Sequence, residues 1–169
     1  MQSPGDRTQY VARYLKDWAF SGFTRQHFPP LIYSLADLSF LVPIRLPDEI
    51  YTKPGIFGAK HNNLWTAHMY EYRKDNEQIY HPHIVMLSQQ QSPGRNGSIL
   101  YGELIQLVAA MRNRAHQRVM IENDDEDEEP QPRSPLEYYF KHEQRFPVLM
   151  VSCVAPSHAR IYYACMDGS

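Results

Sequence analysis

The sequence predicts one α+β domain over residues 1–169, with a mostly antiparallel sheet and one long amphipathic helix packed on it. In Ser98–His116, apolar residues recur at spacings of three and four, the period of a helix with one apolar face. Pro147–Ala155 is apolar except at Ser152, which is typical of a strand buried on both faces. A helix laid over this strand is the expected nucleus. The residues predicted to face inward on the helix are Leu100, Leu104, Leu107, Val108 and Met111.

Two further helical segments precede the sheet. Tyr10–Phe20 carries apolar side chains at helical spacing, and Asp6 or Thr8 is the expected N-cap. Ser34–Leu38 fits a single helical turn, because its first residue is a good N-cap and Asp37 stands at the third helical position. The sequence therefore predicts a short amphipathic helix and one capped turn.

The strands are predicted from β-prone runs bounded by turn residues. Phe40–Leu46 is short and contains a proline, which favours an edge or a bulge. Trp65–Arg73 and Ile79–Gln89 flank a polar segment and form the clearest hairpin, expected to be centred on Asn76. Ala159–Met166 is the expected partner of the buried strand. Together these runs predict an antiparallel sheet.

Charge is concentrated in one segment. Seven of the nineteen acids lie between Glu122 and Glu129, so twelve acids remain against seventeen Lys and Arg, an excess of five positive charges. Glu122–Pro135 is self-repelling and rich in proline, and it is predicted to be a disordered acidic insertion. The folded part is mildly basic, which permits an anionic partner without requiring one.

Two histidines and a carboxylate suggest a metal site. His81 and His83 alternate along a predicted strand, so both imidazoles are expected on one face. A hairpin centred on Asn76 would place Glu71 opposite His81. Such a set suits a divalent metal, Mg²⁺ or Zn²⁺, with positions left open for substrate. The alternative is that these residues are half-exposed and make ordinary hydrogen bonds.

A second set is similar to the acidic pair and basic residue of Mg²⁺-dependent nucleases with a restriction-endonuclease-like fold. It consists of Asp48, Glu71 and Arg73. In those nucleases an Asp and a Glu bind the metal and a Lys positions or activates water. Here the basic residue is an arginine, which does not readily release a proton. The alternative is a loop aspartate and a surface strand of alternating charge.

A basic cluster near the end of the long helix suggests nucleic-acid binding. Arg112, Arg114 and Arg118 would contact phosphates, with tyrosines supplying stacking. Arginines at this position also complement the negative end of the helix dipole. We favour the second interpretation, so nucleic acid is an alternative partner and not the expected one.

Three segments resemble a group of uncharacterised proteins from filamentous fungi: Gly102–Arg112, Arg145–Ser152 and Ala159–Gly168. The resemblance covers roughly the last seventy residues and consists mostly of apolar patterning. No activity is established for that group. The resemblance therefore implies a fungal source and no chemistry.

The composition and the missing catalytic signatures lead to a functional prediction. A 43% hydrophobic content excludes a wholly disordered chain, and no run of about 18 apolar residues predicts a membrane span. Cys153 and Cys165 are too few for a disulfide framework, which favours reduced thiols in the cytoplasm or nucleus. Asp167-Gly168 is a hairpin-turn signal, so a longer natural chain is expected.

We therefore predict a non-catalytic intracellular interaction module that binds a protein or a basic ligand and needs no cofactor. The alternative is a divalent-metal-dependent hydrolase or nuclease that uses Asp48, Glu71 and the His81/His83 pair.

Overall fold

The computed structural model describes residues 4–20, 33–44, 65–73, 81–121, 131–132 and 137–167. These residues form helices and strands in the order α1 (Pro4–Ala19), α2 (Leu35–Leu38), β1 (Leu41–Pro43), β2 (Trp65–Tyr72), β3 (Ile84–Pro93), α3 (Tyr101–Ala115), β4 (Met120–Ile121), β5 (Gln131–Pro132), β6 (Arg145–Ala155) and β7 (His158–Asp167). The predicted mixed α+β class is confirmed. No helix within the described residues is long and apolar enough to cross a membrane.

The main sheet has five strands in the order β1-β2-β3-β6-β7. Every neighbouring pair is antiparallel except β3 and β6, which are parallel because helix α3 carries the chain back across the sheet between them. The predicted mostly antiparallel sheet is therefore confirmed, with one parallel pair at its centre. Strands β4 and β5 form a separate two-stranded ribbon.

Alternating residues of β3 face two different helices. Met86 packs with Leu107 of α3, and the next residue, Leu87, packs with Ala12 of α1. Since successive strand residues point to opposite faces, α1 and α3 cover opposite faces of the sheet. The apolar residues fully buried on the α3 face include Ile84, Met86, Ala110, Val148 and Met150.

The first helix starts earlier than predicted. It begins at Pro4, whereas Tyr10 was the expected start. Asp6 and Thr8 consequently lie inside its first turns, and the prediction that one of them is the N-cap was wrong. Proline suits this first position because it has no N–H to leave unpaired there. The carboxylate of Asp6 is stabilised by the positive end of the helix dipole.

Helix α2 has the predicted capping box. Ser34 Oγ accepts a hydrogen bond from the Asp37 amide at 3.1 Å, and Asp37 Oδ2 accepts one from the Ser34 amide at 3.1 Å. Each side chain satisfies a backbone donor that the short helix leaves unpaired. This turn leads directly into strand β1.

The β2–β3 hairpin has a different register from the predicted one. A turn centred on Asn76 would pair Tyr70 with Pro82, whereas Tyr70 pairs with Val85, three residues further along. Proline lacks an N–H for the ladder, and strand β3 begins only at Ile84. The predictions that Glu71 lies opposite His81 and that the histidines lie on a strand were therefore wrong.

The acidic insertion falls mostly outside the described residues. Segments 122–130 and 133–136 are not described, so the prediction of disorder there stays a prediction. Gln131 and Pro132 are an exception, because they form β5 and pair with Met120 and Ile121. Arg118 and Tyr138 make an isolated bridge beside this ribbon.

Candidate functional site

Helix α3 turns polar side chains toward the sheet. Its buried residues include Glu103, Gln106, Asn113 and Arg114, each 3% exposed or less. Leu104 and Val108, predicted to face inward, are 47% and 51% exposed. The predicted apolar face was therefore placed wrongly at these two positions, while Leu107 is buried as expected. The physical reason is that the sheet beneath the helix offers hydrogen-bonding partners to the polar residues.

Glu71 is the first of these partners. Its side chain is buried on β2, and its two carboxylate oxygens are bound by different arginines. Arg73 Nε donates to Oε1 at 2.7 Å, and Arg114 Nη1 donates to Oε2. Two guanidinium groups against one carboxylate leave an excess positive charge in this cluster.

The Arg114 guanidinium contacts four other residues, although its Nε atom has no hydrogen-bond partner among the described residues. Besides Glu71, its guanidinium donates to the His81 carbonyl at 2.8 Å and to Gln117 Oε1 at 2.7 Å. Its Cζ atom lies 4.6 Å from the centre of the Phe140 ring. Burial lowers the pKa of Arg114 and Glu71 opposes that change, but the guanidinium stays charged at neutral pH.

The prediction that Arg114 belongs to an exposed basic surface was wrong, because its side chain is fully buried. Helical geometry explains the difference. Arg114 is one turn from Ala110, which also faces the sheet, whereas Arg112 lies on the opposite side of the helix and is exposed. Arg118 is exposed as well. A basic surface containing Arg112 and Arg118 stays a prediction.

The histidine pair lies beside the arginine cluster without forming a metal site. His81 and His83 are exposed in the irregular segment before β3, and their ring centres are 5.6 Å apart. Partial desolvation of the exposed His83 ring lowers its pKa, and nearby His81 and Arg114 lower it further. Among the described residues, no group of three or more His, Cys, Asp and Glu side chains is arranged to hold a metal ion. The predicted Glu71, His81 and His83 set is not assembled.

The nuclease-like set is assembled only in part. Asp48 lies outside the described residues. Glu71 and Arg73 are in contact at 2.7 Å, as the sequence spacing allows on one face of a strand. However, both oxygens of the carboxylate already accept charged hydrogen bonds, so neither is directed at an open position.

A second polar cluster lies under the first half of α3. Ser88 Oγ donates to Gln106 Oε1 at 2.6 Å, and Gln90 Nε2 donates to the same oxygen at 3.1 Å. All three side chains are buried. Gly102 permits this packing, because a Cβ there would lie 2.3 Å from Gln90 Oε1. Gln106 Nε2 and Ser152 Oγ have no partner among the described residues.

Glu103 connects this polar layer to strand β7. One of its oxygens accepts hydrogen bonds from Tyr162 Oη at 3.0 Å and Arg160 Nη1 at 3.3 Å. Arg160 also donates to the Ser98 carbonyl at 2.9 Å, which fixes the loop before α3. An open depression of about 480 Å³ lies on this loop. Its lining residues are Arg95, Asn96, Gly97, Ser98, Arg160 and Tyr162.

On the α1 face of the sheet, three large apolar side chains are open to solvent. Ile161 is 75% exposed, Tyr163 is 74% exposed and Leu149 is 40% exposed. Tyr163 stands opposite Leu149 on the neighbouring strand, and Ile161 stands opposite Val151. We call Leu149, Ile161 and Tyr163 the β7 strip. It lies beside α1, whose packing reaches Cys153 and Val151 of β6.

The strip borders an open edge of the sheet. Strand β7 is the last strand in the order and pairs with β6 over ten consecutive residue pairs without a bulge. It contains no proline, glycine or lysine, the residues that usually protect an edge. The opposite edge differs, because β1 has three residues and ends with Pro43. Within the described sheet, β7 is therefore the edge best suited to accept another strand.

Cys153 lies in strand β6 and is fully buried. Burial raises the pKa of its thiol to about 11, which disfavours the reactive thiolate. Cys165 is exposed on β7.

Comparison with known proteins found no matching family model, no matching curated protein and no matching solved structure. The fungal resemblance stays a prediction. Sequence reasoning missed both the polar face of α3 and the β7 strip. The alternation of Ile161, Tyr163 and Cys165 marks a common face, but it does not say how far α1 covers that face.

Proposed function

We propose that this chain is a non-catalytic interaction module that binds another polypeptide along strand β7, in the cytoplasm or nucleus. The observation that carries the proposal is the β7 strip beside a sheet edge that no other described strand pairs with. Isolated exposed apolar residues are ordinary, but neighbouring ones next to a free strand edge are typical of a binding surface.

Strand addition is the binding mode that fits this edge. An added strand would pair with the outer backbone groups of β7, which supplies affinity without a deep pocket. Its alternate side chains would cover Ile161 and Tyr163. Burying a side chain of this size contributes about 1.5–3 kcal/mol before the entropy of association is subtracted.

The chemistry of the polar clusters supports binding over catalysis. The oxygens of Glu71 are engaged by Arg73 and Arg114, and the Ser88, Gln90 and Gln106 side chains hydrogen-bond to one another. These groups hold α3 on the sheet, and among the described residues they do not converge on an open cleft. They supply the rigid support that a binding strand needs.

The test uses extended peptides selected for binding to the wild-type protein from a random display library. Replacing Ile161→Asp and Tyr163→Asp together should weaken the selected peptides at least about tenfold in fluorescence anisotropy, because charge replaces the apolar contacts. The matched control is Tyr10→Asp with Tyr14→Asp, at side chains 62% and 64% exposed on α1. Equal affinity for the β7 variant and the control would contradict the proposal.

The metal-dependent hydrolase stays the alternative prediction. It needs Mg²⁺ or Zn²⁺ bound near Glu71, His81 and His83, together with Asp48. Thermal stabilisation of the wild-type protein by either metal, lost in both His81→Ala and His83→Ala, would favour it over the interaction module.

A further inference from the structure

We infer that the strand added to β7 is β7 of a second copy of this chain, so that two five-stranded sheets join across a two-fold axis. This inference rests on the proposed function and names the partner. It is argued from the pairing that β7 makes with itself when two copies run antiparallel.

The axis fixes which residues can face each other. A two-fold axis perpendicular to the sheet places each face of one copy beside the same face of the other, so opposed residues must share a face. Only an axis at Tyr162 or Tyr163 meets this condition and pairs nine of the ten residues of His158–Asp167. Axes nearer either end of the strand leave more of the edge uncovered.

The axis at Tyr162 gives the better match of side chains. It places Ile161 opposite Tyr163 of the second copy, and the symmetry repeats this contact. The two most exposed apolar residues of the strand are thereby paired with each other. Pairs of an aromatic and a β-branched residue are favourable across antiparallel strands. An axis at Tyr163 would instead place Ile161 opposite Cys165.

Charges agree with the same register. With the axis at Tyr162, Arg160 faces Ala164 and His158 faces Met166, so no pair of like charges is opposed. An axis at Arg160 would oppose two guanidinium groups, which disfavours it. Glu103 already accepts a hydrogen bond from Arg160 within each copy, so the new interface does not leave that cation without a counter-charge.

The other edge of the sheet explains why the assembly should stop at two copies. Strand β1 is three residues long and contains Pro43, so it offers little backbone for pairing. A contact made by β7 with β7 uses the same surface on both copies and closes on itself. We therefore expect a dimer and no filament.

The first measurement is sedimentation velocity over a concentration series. The wild-type protein should shift from monomer to dimer as concentration rises, and Ile161→Asp with Tyr163→Asp should raise the dissociation constant at least about tenfold. The control is Tyr10→Asp with Tyr14→Asp, which should dimerise like the wild-type protein. Circular dichroism checks that each variant is folded, which is expected because the replaced side chains are exposed.

The second measurement tests the register through the exposed native thiol. With the axis at Tyr162, residue 159 faces Cys165 of the second copy, so Ala159→Cys should give a disulfide-linked dimer under mild oxidation with oxidised glutathione, which is reduced as the bond forms. Adding Cys165→Ser should abolish that dimer. Ile161→Cys is the matched control, because it would crosslink to Cys165 only with the axis at Tyr163.

A protein that stays monomeric at every accessible concentration overturns the inference, and so does a dimer unaffected by the β7 variant. If the monomeric wild-type protein still binds the selected peptides and the variant with Ile161→Asp and Tyr163→Asp does not, the proposal that the partner is a second copy is wrong, but the proposed function stands. If the variant also leaves peptide binding unchanged, both fail. Crosslinking through Ile161→Cys alone would overturn the register and the self-pairing argument built on it.

Discussion

Arg114 has the environment least expected for its residue type. An arginine in the last turn of a helix is ordinarily a surface cation that complements the dipole. Here the guanidinium is buried against Glu71, a backbone carbonyl, Gln117 and the Phe140 ring. A buried ion pair adds little net stability, but removing Arg114 would leave one oxygen of the buried Glu71 carboxylate without a donor, although Arg73 would still pair with the other. Arg114 therefore matters mainly for holding α3, β2 and the segment before β3 in one arrangement.

We predict that Arg114→Met lowers the free energy of unfolding by about 1–3 kcal/mol, because Glu71 Oε2 then stays buried without a donor while Arg73 still pairs with Oε1. Urea denaturation at neutral pH measures this change. Arg112→Met is the matched control on the exposed side of the same helix and should change stability by about 0.5 kcal/mol or less.

Adding Glu71→Leu to Arg114→Met should recover part of the loss, because no buried charge is then left on β2 facing the helix. Equal stability of Arg114→Met and the wild-type protein would contradict the structural role given to this pair.

At the scale of elements, helix α3 shows why periodicity alone did not fix its orientation. Apolar residues occur on two sides of it, Leu104 and Val108 on one and Leu107 and Ala110 on the other. The sequence predicts an amphipathic helix but gives no reason to expect that the face carrying Glu103, Gln106 and Arg114 packs on the sheet. That choice depends on Glu71 and Ser88, which other strands bring beneath the helix.

Two leucines three residues apart test this orientation. Leu107→Ala should lower the free energy of unfolding by about 2–5 kcal/mol. The leucine side chain is only 4% exposed, so truncating it leaves a cavity between helix and sheet. Leu104→Ala, at 47% exposure, should cost less than about 1 kcal/mol. Chemical denaturation of both variants measures these losses and decides which leucine faces the sheet. Equal losses would mean that both leucines face the sheet, as the periodicity predicted.

For the whole molecule, the two histidines with perturbed ionisation set a pH dependence. Burial lowers the pKa of His68, and Lys16 lowers it further. Partial desolvation lowers the pKa of His83, which is otherwise exposed, and His81 and Arg114 lower it further. The folded state thus favours neutral imidazoles. As pH falls through the unfolded value of 6.5, the unfolded state binds protons first, so stability decreases until the folded pKa values are reached.

We predict a lower free energy of unfolding at about pH 5.5 than at about pH 7.5, and a smaller difference in His68→Gln. Denaturant titrations at the two pH values measure it. His158→Gln, at an exposed histidine beginning β7, is the control and should keep the wild-type difference. A difference unchanged by His68→Gln would show that another group sets the pH dependence.

The sequence by itself determined the fold class and most elements of the main sheet and its helices, but not the β4–β5 ribbon. The period of α3, the apolar run of β6, the alternation of β2 and the capping box of α2 are local properties of the chain, and each is present in the structure. Local patterning suffices for these because helical and strand periods are written into consecutive residues.

Only the tertiary structure decided the candidate sites. The β2–β3 register depends on where Pro82 prevents pairing, and the burial of Arg114 depends on Glu71, 43 residues earlier. The exposure of Ile161 and Tyr163 depends on α1 covering β3 and β6 while leaving β7 open. These are contacts between distant segments, and no local period encodes them. The surface most suited to a partner was therefore visible only once the sheet was assembled.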